Sequence, residues 1–141
     1  MKLALSLAAA ALAAAAVPAH ADGVSVSLAL SAGRYAPTGA ACTVSVPSGS
    51  NGLAVLNAAQ QAGCVVSYQT VTYPGFGTFV TCIDEVCGNA TLGSVGTYWN
   101  MYDNGASAAY GVDGFSAQAG DELGFAYKAY CFEVVCPPDL G

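Results

Sequence analysis

The sequence predicts an α+β fold, a β-grasp-like mixed sheet with one packed helix, braced by disulfides. Three observations carry that prediction. Apolar residues alternate with small or polar ones in several short segments, the mark of half-buried strands. One stretch, and only one, has helical spacing together with a start and a stop signal. Six cysteines in 141 residues, an even number, read as three disulfides if the chain is exported. Two strands, one helix and then several strands is an order that lays the helix across the sheet.

The elements follow in that order. GVSVSLALS, from Gly23 to Ser31, sets Val24, Val26, Leu28 and Leu30 on one face of a first strand. A Gly- and Pro-containing link from Gly33 to Gly39 leads to CTVSV, the second strand, which Pro47-Ser48-Gly49 ends. Ser50 or Asn51 can cap a helix running through Ala62, with Leu53, Leu56 and Ala59 on its apolar stripe and Gly63 as its stop. CVVSYQTVTY and GTFVTCI, rich in β-branched and aromatic residues, are the next strands. TYWNMYD and ASAAYGV flank Asn104-Gly105, the pair best suited to a two-residue hairpin turn. Gly120-Asp121 then turns into ELGFAYKAY, where Leu123, Phe125 and Tyr127 alternate with Gly124, Ala126 and Lys128.

The first residues are expected to be a processing signal. Lys2 precedes an apolar run from Leu3 to Val17, and Ala19-His20-Ala21 has the small-x-small pattern of a signal-peptidase site. Residues 1–21 are therefore read as a secretory signal peptide and 22–141 as a single domain, secreted and extracellular. A retained anchor is the weaker reading, because the run falls short of the roughly 20 residues that span a bilayer. Removal of the signal leaves Arg34 and Lys128 against nine carboxylates. Such a chain cannot neutralise a phosphate backbone, which excludes nucleic acid as a partner, and it has no basic face for an anionic membrane. The single histidine, His20, leaves with the signal, so His-dependent nucleophiles, general acid–base catalysis and zinc sites are excluded.

The six cysteines are Cys42, Cys64, Cys82, Cys87, Cys131 and Cys136. The C-x4-C spacing occurs twice, so Cys82–Cys87 and Cys131–Cys136 are candidate local clips, with Cys42–Cys64 closing a longer loop. Spacing alone does not choose among the fifteen connectivities. A four-thiolate metal site is the alternative, disfavoured by an oxidising compartment and by loose spacing for zinc. The remaining chemistry-bearing groups are carboxylates, hydroxyls and one lysine. Asp84-Glu85 and Asp121-Glu122 are adjacent in sequence, hence on opposite faces of a strand, and read as turn-forming acids rather than as a catalytic pair. Calcium held by Asp103, Asn104 and Asp113 lacks the usual ligand spacing. Asn89-Ala90-Thr91 is a glycosylation triplet. No catalytic residue, metal or resident cofactor is expected, and the protein is read as a non-enzyme.

What remains is aromatic. GTYWNMYDNG places Tyr98, Trp99, Met101 and Tyr102 within five positions. Alternation puts Tyr98, Asn100 and Tyr102 on one face and Trp99, Met101 and Asp103 on the other. One helix covers one face of a sheet, and apolar groups on a second face mark either a ligand-binding surface or a second core.

In order along the chain, GLAVLNAAQQAG, FGTFVTCID, YWNMY, YGVDGF and GDELGFAYKAY resemble the C-terminal β-domain of the vitamin B12 carriers transcobalamin, intrinsic factor and haptocorrin. The same module occurs as the DUF4430 domain of exported microbial proteins. The resemblance covers roughly Thr43 to Tyr130. It implies a β-grasp-like domain which, in the carriers, closes over one side of a corrin ring while a helical barrel holds the other. By that resemblance Tyr98, Trp99, Asn100 and Met101 match the strand that touches the ligand. Phe76, Gly77, Phe79 and Val80 match the segment before it, and Gly111 and Val112 the segment after it. The implied function is binding of a small molecule, with cobalamin as a possible ligand. The alternative is an extracellular structural or protein-interaction domain using the same face and binding no corrinoid.

Overall fold

Burial of alternate side chains organises the chain into eight strands and a single helix in a computed structural model that describes residues 23–32, 42–89 and 95–132. The expected signal segment, the Gly33–Gly39 link and Cys136 lie outside the described residues, as do Ala90 and Thr91 of the glycosylation triplet. In chain order the elements are β1 (Gly23–Ala32), β2 (Cys42–Pro47), α1 (Gly52–Gln61), β3 (Tyr68–Tyr73) and β4 (Gly77–Ile83). They continue with β5 (Val86–Cys87), β6 (Val95–Asp103), β7 (Ala106–Ser107), a 3-10 turn (Val112–Gly114) and β8 (Asp121–Cys131).

Two sheets form where a single one was expected. The larger is five-stranded, ordered β2-β1-β8-β6-β7, and is mixed because β1 runs parallel to β8 while the other pairs are antiparallel. The smaller is β3-β4-β5, all antiparallel. The register brings Val26, Leu28, Leu123, Phe125, Trp99 and Met101 to one face of the large sheet. Over that face lie α1 at the β1–β2 side and β4 with the 3-10 turn at the β6–β8 side, and the core fills the space between them. Both coverings share one core cluster, on the same face of the sheet as the helix. The opposite face carries Ser25, Ser27, Thr43, Ser45 and Lys128 toward β1 and β2, and the rings of Tyr98, Tyr102 and Tyr130 along β6 and β8. Lys128 is held there by the Tyr102 hydroxyl at 2.9 Å.

Asn51 rather than Ser50 caps α1, accepting the Ala54 amide at 3.1 Å. Its buried stripe is Val55, Leu56 and Ala59, with Leu53 only partly buried, a shift of the predicted stripe toward the β2 side. Two further departures concern strands. CVVSYQTVTY becomes strand only from Tyr68, because Val65 is drawn into the core and Asp84 accepts the Val66 amide at 2.6 Å. ASAAYGV pairs only through Ala106–Ser107 before the chain turns into the 3-10 segment.

Cys42–Cys64 ties the start of β2 to the segment after α1, and Cys82–Cys87 joins directly opposed positions of β4 and β5. Cys131 is disulfide-bonded as well. Chain-entropy reasoning gives about 3.4 kcal/mol for the first closure and about 2 for the second. Among the described residues, no helix is long and apolar enough to cross a membrane.

Candidate functional site

β6 is flanked by β8 on one side, but on the other it has neighbours only at its ends. Near its start Thr97 exchanges backbone bonds with Asn89 at 3.0 and 3.1 Å, and near its end Ala108 donates to the Met101 carbonyl at 2.9 Å. Alternation along a strand then turns the Trp99 amide and carbonyl to the same outer side as those of Thr97 and Met101. Among the described residues no strand lies beside Trp99 there, so a backbone donor and acceptor line a gap in the sheet edge. An unpaired edge of this kind is a ready hydrogen-bonding surface for a ligand.

A hollow of about 170 Å³ occupies that gap, bordered by Phe79, Val80, Tyr98, Trp99, Asn100, Met101, Ala108, Tyr110, Gly111, Val112 and Phe125. It continues past Phe79 and Trp99 into a second hollow of about 250 Å³, which reaches Val71, Tyr73 and Gly88. Past Tyr110 and Gly111 it continues into a third, of about 420 Å³, beside the β3–β4 turn with Phe76 and Gly77. The ten residues singled out from the sequence each border one of these adjoining hollows, eight of them at β6 and two, Phe76 and Gly77, at the β3–β4 turn.

Their side chains do different things there. Met101, Val80 and Val112 are buried and belong to the core, so they back the cleft rather than open into it. The Trp99 ring is half-buried, packs on Tyr127 at 5.2 Å and donates its indole N–H to the Val86 carbonyl at 2.8 Å. The Tyr127 hydroxyl lies 3.0 Å from the Cys87 carbonyl, so this pair staples the large sheet to β5. Tyr98 and Asn100 border the hollow but send their side chains to the other face of the sheet. There the Tyr98 ring meets Tyr130 at 6.1 Å and the Asn100 amide bonds Ser107 at 3.1 Å. Phe76, at 79% exposure, stands free at the turn, and Phe79 leans on Tyr73 at 6.0 Å. Gly111 fits because a Cβ there would sit 2.1 Å from the Thr78 carbonyl oxygen.

Tyr110, Ala108, Tyr73 and Phe125 are cleft residues that sequence reasoning passed over. Tyr110 had a legible signal, since YGVDGF was already one of the recognised motifs. Its hydroxyl donates to Asp103, and that bond, with burial and the charges of Asp103 and Asp121, pushes its pKa up from 10.0 to about 12. Asn104 bridges Asp103 and Asp121 through its amide nitrogen at 3.0 and 3.1 Å, while Asp113 accepts the Thr78 amide at 2.9 Å. The calcium trio Asp103, Asn104 and Asp113 is thereby divided between two networks. Among the described residues, no group of three or more His, Cys, Asp and Glu side chains is arranged to hold a metal ion.

The profile of DUF4430, described as a domain of unknown function, matches residues 49–129. The chain belongs to the DUF4430 family. The DUF4430 span runs from just before α1 into β8 and contains every residue of the cleft, while β1 and β2 lie outside it. No curated protein matches the sequence. Among solved structures, the chain is similar to haptocorrin in complex with Cbi, at 22% identity and a TM-score of 0.62, over 82% of this chain. That likeness is one of fold, and the chain spans 27% of the haptocorrin chain's length. A protein from Ruminococcus gnavus ATCC 29149 proposed to bind metal is also similar, at 14% identity and a TM-score of 0.46, covering 76% of this chain and 96% of that one.

Proposed function

We propose that this DUF4430 protein is an exported, non-enzymatic module that binds a small molecule in the cleft along β6, and that the ligand is a corrinoid. The observation that carries the reading is the open strand edge at Trp99, set between Phe79 and Tyr110 at the mouth of a hollow. A corrinoid is a flat macrocycle with an apolar rim and amide side chains. Aromatic walls suit the rim, and an unpaired backbone donor and acceptor suit the amides. The haptocorrin-like fold and the motif order support the same ligand class, and the disulfides fit export to an oxidising compartment. One cleft covers one face of such a ligand, so affinity is modest unless a second body covers the other.

Titration of the purified chain with cobalamin, followed by the corrin visible spectrum and by co-elution in gel filtration, tests the proposal. A saturable spectral change is expected, weakened in Trp99→Ala. No change and no retention up to about 500 μM, well above the useful range for a carrier, would remove the corrinoid reading. The second reading, an extracellular interaction domain, draws on the same open edge, since a partner's strand can pair there. Capture of a protein partner lost in Trp99→Ala, with no corrinoid response in the parent chain, would select it.

A further inference from the structure

The hollow beside the β3–β4 turn has a chemistry of its own. Its walls are the rings of Tyr73, Phe76 and Tyr110, its charged group is the Asp113 carboxylate, and the Thr72 hydroxyl that also lines it is paired with Thr78 at 2.9 Å. Tyr73 is 53% exposed, Phe76 79% and Tyr110 37%, so ring surface is open to a ligand. The turn that builds one wall is Tyr73-Pro74-Gly75-Phe76, closed by the Phe76 amide on the Tyr73 carbonyl at 2.9 Å, with Gly75 at φ 85°. Gly77, at φ 117°, lets Asp113 come close, because a Cβ there would lie 2.9 Å from Asp113 Oδ1. That oxygen accepts the Thr78 amide and is fixed by it. Asp113 Oδ2 has no donor among the described residues. The basic side chain among them, Lys128, is engaged by Tyr102 on the other face of the large sheet.

We infer that this hollow is a binding site for an organic ammonium ion, a quaternary or methylated amine held by the Asp113 carboxylate between the rings of Tyr73, Phe76 and Tyr110. Aromatic faces attract such cations, and a positioned carboxylate supplies the counter-charge. The formal net charge of −6 adds a field that gathers cations at the surface. One carboxylate does not provide the six to eight oxygens calcium takes. This hollow shares Tyr110 and Gly111 with the 170 Å³ hollow on which the corrinoid reading rests, while Asp113, Tyr73 and Phe76 do not border that one.

Calorimetric titration of the full chain with choline chloride tests it, with 3,3-dimethylbutan-1-ol as the uncharged isostere. Saturable choline binding with a Kd on the order of 1 mM is expected, with the alcohol at least about tenfold weaker. Asp113→Asn keeps an oxygen for the Thr78 amide while removing the charge, and it should weaken choline about tenfold. Phe76→Ala, at an exposed turn position, should weaken it about threefold without touching the fold. Equal binding of choline and the alcohol, unchanged binding in Asp113→Asn, or no saturation by about 50 mM choline would overturn the assignment. Choline binding without a corrinoid response would leave it standing.

Discussion

Gly111 sits where two backbones approach closer than any side chain allows. A Cβ at this position would lie 2.1 Å from the Thr78 carbonyl oxygen and 2.9 Å from the Thr78 nitrogen, both main-chain atoms of β4. Neither can step aside as a flexible side chain would. Gly111→Ala should therefore cost about 3 kcal/mol, read as a lowered denaturant midpoint, because overpacking here must part β4 from the 3-10 turn. One residue away, Tyr110 is tied to Asp103, and its pKa is pushed up from 10.0 to about 12. The unfolded chain loses this proton near pH 10 and the folded protein keeps it to about 12. The stabilisation is thus complete below pH 10 and fades as pH rises through 12. Following phenolate absorbance should show a late-titrating component that is lost in Tyr110→Phe and brought back toward 10 by Asp103→Asn. A parent chain whose tyrosines all ionise together near 10 would contradict this assignment.

At the scale of elements, the β4–β5 turn is the clearest case of a local rule overridden. Asp84 and Glu85 both have positive φ, 51° and 69°, in a two-residue hairpin turn that usually takes Asn-Gly. Asp84 is kept there by use, since its carboxylate accepts the Val66 and Ser67 amides. Glu85 makes no side-chain bond, so Glu85→Gly should relieve left-handed strain and raise stability by about 0.5–1 kcal/mol, seen as a higher melting temperature. The strands that sequence reading found, β1, β2, β3, β4, β6 and β8, are those with sustained alternation or β-branched and aromatic runs. The helix was legible because Asn51 and Gly63 bracket it. What escaped were β5, two residues without a readable period, the brevity of β7 as the second hairpin arm, and the pairing of β3, β4 and β5 into a separate sheet. The Asn104-Gly105 signal predicted its turn, but the small residues after Ser107 give no strand a reason to continue.

On the scale of the whole molecule, the cleft exists because the two sheets meet without merging. The central pair, β1 parallel to β8, joins the beginning and end of the described chain, a contact that no local pattern encodes. The small sheet then docks against β6 through the Trp99–Tyr127 staple and the Asn89–Thr97 bridge, leaving β6 open between that bridge and Ala108. Motif order proposed the candidate residues, but their division into core-backing and hollow-lining groups was not legible, because it depends on where the second sheet lands. Trp99 illustrates this. The sequence leaves core and binding face open, and in the fold its ring braces the cleft on Tyr127 while its backbone faces the open edge. The central claim, that a small ligand occupies this open edge, is most directly tested by amide NMR of the labelled chain titrated with cobalamin. The account predicts progressive shifts at the Trp99 amide and at Phe79 and Tyr110–Val112, with Ser25, Ser27 and Lys128 on the opposite sheet face unmoved. Shifts confined to that opposite face, or none at saturating cobalamin, would contradict it.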